Sequence, residues 1–271
     1  MKNTNSTTEN TIAILARCGY AAKGVVYLIV GVLASMAAFG LGGKNIGTKE
    51  AITHIAGQPF GSTLLGLMAF GLFAYTLWRI VQAFYDTEDA GSGFKGIATR
   101  LGFVISGLVY ASLGIYCIDL LLNAFASSGD GSSTQDRTAK MMSNPGGIYL
   151  IFAVGIVFMG VGIRQIVRAV KRSYLKNWHM VKMNETQRKL AEGATRWGLS
   201  ARGVVFMIIG GFLCIAAWQT DPSEAQGLGG ALNTLASQPF GPWLLGIVAL
   251  GLVGYGIYCL INARFRDVST D

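Results

Sequence analysis

The chain has 271 residues, of which 13% are charged and 52% are hydrophobic, and its formal net charge is +8. A soluble domain of this length would lack the polar residues needed to cover its surface, so the composition excludes an ordinary water-soluble protein and indicates a membrane protein. The apolar segments also lack the alternation of apolar and polar residues that a membrane strand requires, which excludes a transmembrane β-barrel.

Six windows without any charged residue follow one another along the chain: residues 24–43, 55–78, 101–118, 141–163, 203–220 and 225–263. Because a helix rises about 1.5 Å per residue and the hydrocarbon core is about 30 Å thick, a membrane span needs about 20 residues. Five windows fit one span each. The sixth is too long for one span and too short for two, and Pro239-Phe240-Gly241-Pro242 inside it predicts that the span begins there.

The first, third and fifth spans open on the same pattern, in which an arginine precedes two glycines by seven and fourteen residues. The three copies are Arg17, Gly24 and Gly31, then Arg100, Gly107 and Gly114, then Arg196, Gly203 and Gly210. A spacing of seven keeps side chains on nearly one helix face, so each copy has a glycine seam suited to close helix packing. The pattern predicts three tandem two-span hairpins, related by a pseudo-threefold axis along the membrane normal.

The second span of each hairpin also has a repeated start: Gln58-Pro59-Phe60-Gly61, Asn144-Pro145-Gly146-Gly147 and Gln238-Pro239-Phe240-Gly241. Proline fits the first turn of a helix, so these motifs predict the beginning of an inward-running span. Short amphipathic stretches at 51–56 and 231–236 predict outer interfacial helices, and the corresponding stretch at 138–143 is more polar. Gly71 and Tyr75 of the first copy recur as Gly251 and Tyr255, whereas the middle copy has valines there.

These patterns divide the chain into four parts. Residues 12–85 form repeat 1, residues 96–170 repeat 2, residues 171–195 a basic cytoplasmic connection, and residues 196–266 repeat 3. Within the connection, Asn184-Glu185-Thr186-Gln187 resembles a capped helix start.

The distribution of lysine and arginine predicts the orientation. Of the 22 basic residues, only Lys44, Lys49, Arg137 and Lys140 fall on one side of the spans, and the rest fall on the side of the two termini. By the positive-inside rule, we expect the protein to lie in the inner membrane with both termini in the cytoplasm.

The first residues have no basic start followed by a short apolar segment, so no cleaved signal peptide is predicted. The positive charge favours anionic lipid over nucleic acid as a partner.

The intramembrane polar residues are the candidate site. Arg17, Arg100 and Arg196 are read as packing and interfacial anchors, or alternatively as three guanidinium groups around a phosphate or carboxylate. Six residues later in each copy come Lys23, Ser106 and Arg202. Lys23 and Arg202 are expected to reach back to the cytoplasmic headgroups; alternatively, they point inward and line a basic vestibule. Asp119, the only acid within a predicted span, is read as a helix-end residue or as a proton or cation site.

No catalytic, metal or cofactor site is predicted. Cys18, Cys117, Cys214 and Cys259 form no close pair and are interpreted as packing residues, and the predicted topology separates His54 from His179. The sequence also has no phosphate-cradling loop and no paired carboxylates at a common depth. We therefore do not expect an enzyme.

Three features of the sequence resemble the bacterial membrane family known as domain of unknown function 1206. They are the repeated Arg-x-Gly-x4-Gly-Val-Val-Tyr opening, the Gln-Pro-Phe-Gly turn, and Ala201-Arg202-Gly203-Val-Val-Phe206 followed by Gly251-Leu-Val-Gly-Tyr255. The resemblance covers about residues 12–266 and implies six spans in three tandem repeats, but no activity.

Two functions from different classes follow. The first is a non-enzymatic membrane protein that binds anionic lipid, or a protein partner, at its basic cytoplasmic face. The second is a small transporter or channel whose pathway lies between the repeats, lined by Lys23, Ser106, Arg202 and Asp119. The oligomeric state is left open.

Overall fold

The computed structural model describes residues 2–85, 91, 93–123, 134–144, 146–178 and 184–266. These residues form nine α-helices: α1 (Lys2–Ala38), α2 (Thr48–Ala56), α3 (Gly61–Tyr85), α4 (Phe94–Asn123), α5 (Thr134–Met142), α6 (Gly147–Val170), α7 (Glu185–Gln219), α8 (Leu228–Ser237) and α9 (Gly241–Phe265). Helices α1, α3, α4, α6, α7 and α9 are long and apolar enough to cross a membrane. The predicted all-α membrane protein with six spans is confirmed.

A short helix precedes the second span of each repeat, at α2, α5 and α8. The span then starts at a glycine packed against the end of the short helix: a Cβ at Gly61 would lie 2.1 Å from the carbonyl oxygen of Ala56, and a Cβ at Gly241 would lie 1.8 Å from that of Ala236. Only glycine fits so close a backbone approach. Pro59 and Pro239 lie in the turn just before the helix, rather than in its first turn as the sequence suggested.

The glycine seams pack each repeat against its neighbour. Helix α1 packs on α9, α4 on α3, and α7 on α6, so the first span of every repeat contacts the second span of another repeat. A Cβ at Gly31 would lie 2.6 Å from the Val253 nitrogen, one at Gly210 would lie 2.6 Å from the Gly155 carbonyl oxygen, and one at Gly114 would lie 3.0 Å from the Phe73 ring. The glycines of the seams have no side chain, so the helix backbones can approach closely. Such close approach favours the association of helices in a membrane.

Within repeats 1 and 3 the two spans also pack on each other, whereas α4 and α6 are not among the closely packed pairs of the described helices. A Cβ at Gly71 would lie 2.5 Å from Ala22, and one at Gly251 would lie 2.2 Å from Ala201, so two small residues meet in both repeats. The middle repeat has Val157 and Ile105 at these positions. The middle repeat therefore lacks the small residues that meet in the other two, and the threefold relation of the repeats stays a prediction.

We call the end of the bundle where α1 begins and α9 ends the terminal side. A short 3-10 helix, Ser173–Asn177, lies between α6 and α7 on this side, and Trp178 pairs through its backbone with Arg266 just after α9. The chain thus folds its inter-repeat connection against its own carboxyl-terminal end.

Candidate functional site

Lys23 lies inside the bundle among three tyrosine rings from three other helices. Its Nζ is 4.8 Å from the ring centroids of Tyr75 and Tyr110 and 5.3 Å from that of Tyr255. The ammonium group donates a hydrogen bond of 3.1 Å to the Tyr75 hydroxyl, and the side chain is only 3% exposed. Tyrosine faces attract a cation through the ring quadrupole, so these rings hold the ammonium group in place of water.

Arg202 occupies a similar environment on α7. Its Cζ lies 4.1 Å from the ring centroid of Phe206, 4.7 Å from that of Tyr255 and 5.7 Å from that of Tyr27. Its Nε donates to the Tyr27 hydroxyl at 3.2 Å, and the residue is 8% exposed. The Tyr255 ring therefore contacts both buried cations, Lys23 from repeat 1 and Arg202 from repeat 3.

Arg79 on α3 is a third cation at this place. Its Cζ lies 4.9 Å from the Tyr75 ring centroid and 5.1 Å from that of Phe103. Its guanidinium group donates to Gln82 Oε1 at 2.7 Å and to the Tyr75 hydroxyl. The Tyr75 hydroxyl thus accepts hydrogen bonds from both Lys23 and Arg79.

These residues form one unit that we call the cation–tyrosine cluster: Lys23, Arg79, Arg202, Tyr27, Tyr75, Tyr110 and Tyr255. Removing a cation from water costs several kcal/mol per ion, and a desolvated cation–π contact contributes about 2 kcal/mol. The ring contacts therefore offset part of the cost. Neither Lys23 nor Arg202 has a carboxylate partner among the described residues, so no described acid pairs with these two basic groups of the cluster.

The expectation that Lys23 and Arg202 reach back to the headgroups is wrong, because both side chains contact rings inside the bundle. Ser106, their counterpart in the middle repeat, is half-buried on α4. Asp119 is exposed on α4 and is not among the residues of the cluster. The structure thus brings together two of these four predicted residues.

The three repeated arginines lie apart from the cluster. Arg17 and Arg196 are exposed and Arg100 is half-buried. They belong to α1, α7 and α4, which are not among the closely packed pairs of the described helices. Their arrangement favours separate roles over a shared site around one ligand.

Arg196 instead lines a cavity of about 560 Å³ between α6, α7 and α9. Trp197 forms part of its wall and is fixed by a hydrogen bond of 3.1 Å from its Nε1 to the Ile247 carbonyl oxygen. The remaining lining residues are Ser200 and a set of small or apolar residues, namely Ala169, Val170, Gly193, Ala201, Val204, Ile247 and Val248. The cavity combines one guanidinium group with a long apolar wall.

Aromatic residues close the terminal side next to the cluster. The rings of Tyr174 and Trp178 contact each other at 5.3 Å between centroids, and both contact Tyr258 on α9. The Arg266 guanidinium lies 5.4 Å from the ring centroid of Tyr20 on α1. Tyr258 follows Tyr255 by one helical turn, so this layer lies between the cluster and the terminal side.

The Tyr174 hydroxyl ties this layer to α7 by donating to the Glu192 carbonyl oxygen at 3.2 Å. Burial, together with the nearby Glu192 carboxylate, raises the pKa of Tyr174 above its usual value. The phenol therefore stays protonated at neutral pH and remains a hydrogen-bond donor.

Sequence reasoning identified Lys23 and Arg202 but missed the tyrosines and Arg79 as their neighbours. A usable signal was present: Tyr75 and Tyr255 are repeat counterparts, and Arg79 follows Tyr75 by one helical turn. The pattern could place these residues on one helix face, but not show that the face turns toward Lys23.

A sequence profile of the family described as Domain of Unknown Function (DUF1206) matches residues 18–86, 101–172 and 197–266. The chain is also similar to Uncharacterized protein YxxB of Bacillus subtilis (strain 168), with 32% identity over 269 residues that cover 99% of this chain and 96% of the relative. No solved structure gives a significant match. The three matched segments agree with the three predicted repeats.

Proposed function

Because the chain belongs to the DUF1206 family, whose name assigns no activity, we propose from its own geometry that it is a non-enzymatic integral membrane protein that binds anionic phospholipid. The observation that carries the proposal is the cavity at Arg196. Its lining joins a single cationic group to apolar side chains, which matches a molecule with an anionic head and a hydrocarbon tail.

The chemistry of the lining favours a phosphate group. Arg196 offers a planar set of N–H donors that suits phosphate oxygens, and Ser200 adds a hydroxyl one turn further along α7. None of the residues that line the cavity is acidic. Val204, Ile247 and Val248 continue the wall with apolar side chains suited to an acyl chain.

The basic connection between repeats 2 and 3 supports the same partner. Arg172 and Arg188 remain about half exposed while they pair with Glu192, at 3.6 Å and 2.9 Å. We place this segment, and with it the terminal side, at the cytoplasmic surface of the inner membrane, because most of the 22 basic residues lie on that side. An acidic protein partner at the same face is the alternative occupant.

Native mass spectrometry of the purified chain tests the lipid site. We expect phosphatidylglycerol to be retained more strongly than phosphatidylcholine with the same acyl chains, and Arg196→Gln to remove this preference. Arg17→Gln is the matched control, since Arg17 is the repeat counterpart of Arg196 and does not line this cavity. Equal retention of phosphatidylglycerol by the Arg196→Gln variant and the parent would contradict the proposal.

A second variant tests the apolar wall. Val204→Phe puts a larger side chain into the cavity and should weaken retention of both lipids, whereas Val25→Phe, at the corresponding exposed position of repeat 1, should not. Unchanged retention in the Val204→Phe variant would show that the lipid binds elsewhere.

A transporter or channel is the second candidate function, and the burial of Lys23 and Arg202 between the repeats is what favours it. Charged residues inside a membrane bundle commonly mark a solute pathway. Anion flux into liposomes that contain the protein, compared with liposomes that contain the Lys23→Met variant, tests this function. Identical flux from both, at the level of empty liposomes, would reject it.

A further inference from the structure

The cation–tyrosine cluster brings two positive charges from different repeats to one ring. Lys23 and Arg202 are both within 5.3 Å of the Tyr255 ring centroid, and neither has a carboxylate partner among the described residues. An anion beside two buried basic groups stabilises the charged form of both. We propose that this cluster is a binding site for a small inorganic anion of the chloride type.

The tyrosine hydroxyls supply donors for such an anion. The Tyr75 hydroxyl accepts from Lys23, and the Tyr27 hydroxyl accepts from Arg202. A phenol that accepts a hydrogen bond keeps its own O–H hydrogen for donation. Each hydroxyl is polarised by the cation from which it accepts. Each can also donate its own hydrogen to an anion that lies between the two hydroxyl groups.

The burial of the cluster selects a small ligand. Lys23 and Arg202 are 3% and 8% exposed, and rings from α1, α3, α4, α7 and α9 surround them. A monatomic anion brings no further atoms into so enclosed a place, whereas a phospholipid headgroup brings its glycerol and acyl chains with it. The cavity at Arg196 has other lining residues, so the two sites are separate.

The test uses the full chain in detergent and compares its melting temperature in sodium chloride and in sodium gluconate at equal ionic strength. A ligand that binds the folded state raises the melting temperature with its concentration, and we expect about 3 °C for each tenfold increase in chloride above the dissociation constant. Gluconate, which is too large for the cluster, should give no such increase. Equal melting temperatures in the two salts would overturn the proposal.

Substitutions in the cation–tyrosine cluster test whether the effect of chloride on the melting temperature arises there. Lys23→Met and Arg202→Met should each remove the chloride response, while the charge-conserving Lys23→Arg and Arg202→Lys should retain at least part of it. Arg17→Gln and Arg196→Gln should keep the full response, so a failure of the lipid proposal would leave this result intact. A full chloride response in both methionine variants would place the anion elsewhere and reject the site.

A direct measurement of chloride binding tests the proposal even if the methionine variants do not fold. Equilibrium dialysis of the parent protein against radioactive chloride should give about one bound ion per chain, displaced by bromide and not by gluconate. No saturable binding would contradict the proposal. A tightly held phospholipid that is present in the parent protein and lost in Lys23→Arg would identify a lipid headgroup as the occupant and would also overturn it.

Discussion

Lys23 and Tyr75 are joined in two ways, because the lysine ammonium donates to the tyrosine hydroxyl at 3.1 Å and lies 4.8 Å from the centroid of the same ring. Tyr75 also accepts from Arg79 through that hydroxyl. One phenol thus links a cation of α1 to a cation of α3. The hydroxyl and the ring make separable contributions to this link.

Tyr75→Phe removes the hydroxyl and keeps the ring. Hydrogen bonds to charged groups contribute about 1.5–3 kcal/mol, so we expect the free energy of unfolding in detergent to fall by about that amount. Tyr255→Phe is the matched control, since the Tyr255 ring contacts Lys23 and Arg202 without accepting a hydrogen bond from either, and its loss should be about 1 kcal/mol or less. Equal losses in both variants would mean that the Tyr75 hydroxyl has no special role.

A substitution of Gly198 tests the packing of α7 on α9 within repeat 3, because a Cβ there would lie 2.3 Å from the Tyr255 backbone nitrogen. Gly19 has the same relation to Tyr75, at 2.5 Å from its Cα. Substitution of either by alanine forces two backbones apart and should cost about 1–3 kcal/mol of unfolding free energy.

Gly102 is the control for these two glycines, as the corresponding residue of the middle repeat. A Cβ there would meet no atom within 4 Å, so Gly102→Ala should not destabilise the protein and should raise the unfolding free energy by about 0.5–1 kcal/mol, because alanine favours a helix more than glycine does. If Gly102→Ala destabilised the protein as much as Gly198→Ala, then α4 and α6 would have to pack more closely than the structure shows.

The number and position of the spans follow from the sequence because hydrophobic length and glycine spacing are local properties. The seams at Gly31 and Gly210 were predictable, but their partners were not, since the pattern does not say that α1 packs on α9 of the last repeat. The departure of the middle repeat was visible as Val157 and Ile105, which stand where the other two repeats have glycine and alanine. Partner choice is a tertiary property that one sequence does not specify.

The cation–tyrosine cluster was less predictable for a similar reason. Long basic side chains near a helix end usually extend toward headgroups, and this rule gave the wrong orientation for Lys23 and Arg202. The rings that hold them come from distant parts of the chain: Tyr75 is 52 residues from Lys23, and Tyr27 is 175 residues from Arg202. Such contacts appear only when the helices are assembled.

Asn184 begins α7 with the capping box that the sequence indicated. Its side chain accepts from the Gln187 backbone nitrogen at 2.8 Å, and the Gln187 side chain accepts from the Asn184 nitrogen at 3.2 Å. Asn184→Ala should weaken the first turn of α7 by about 1 kcal/mol, seen as faster amide hydrogen exchange at the start of the helix. Asn184→Ser restores a capping oxygen and should exchange at nearly the parent rate, whereas equally fast exchange in both variants would exclude the cap as the cause.

The orientation of the bundle can be tested with two isosteric substitutions on opposite sides. Ser173 is exposed on the terminal side and Ser223 is exposed in the connection between α7 and α8. Because basic residues predominate on the terminal side, we expect a membrane-impermeant maleimide added to intact cells to label Ser223→Cys and to leave Ser173→Cys unlabelled until the cells are opened. The parent chain, with its four buried or half-buried cysteines, measures the background. Labelling of Ser173→Cys in intact cells, with Ser223→Cys protected, would reverse the topology and remove the cytoplasmic placement on which the anionic-lipid argument for the basic connection depends.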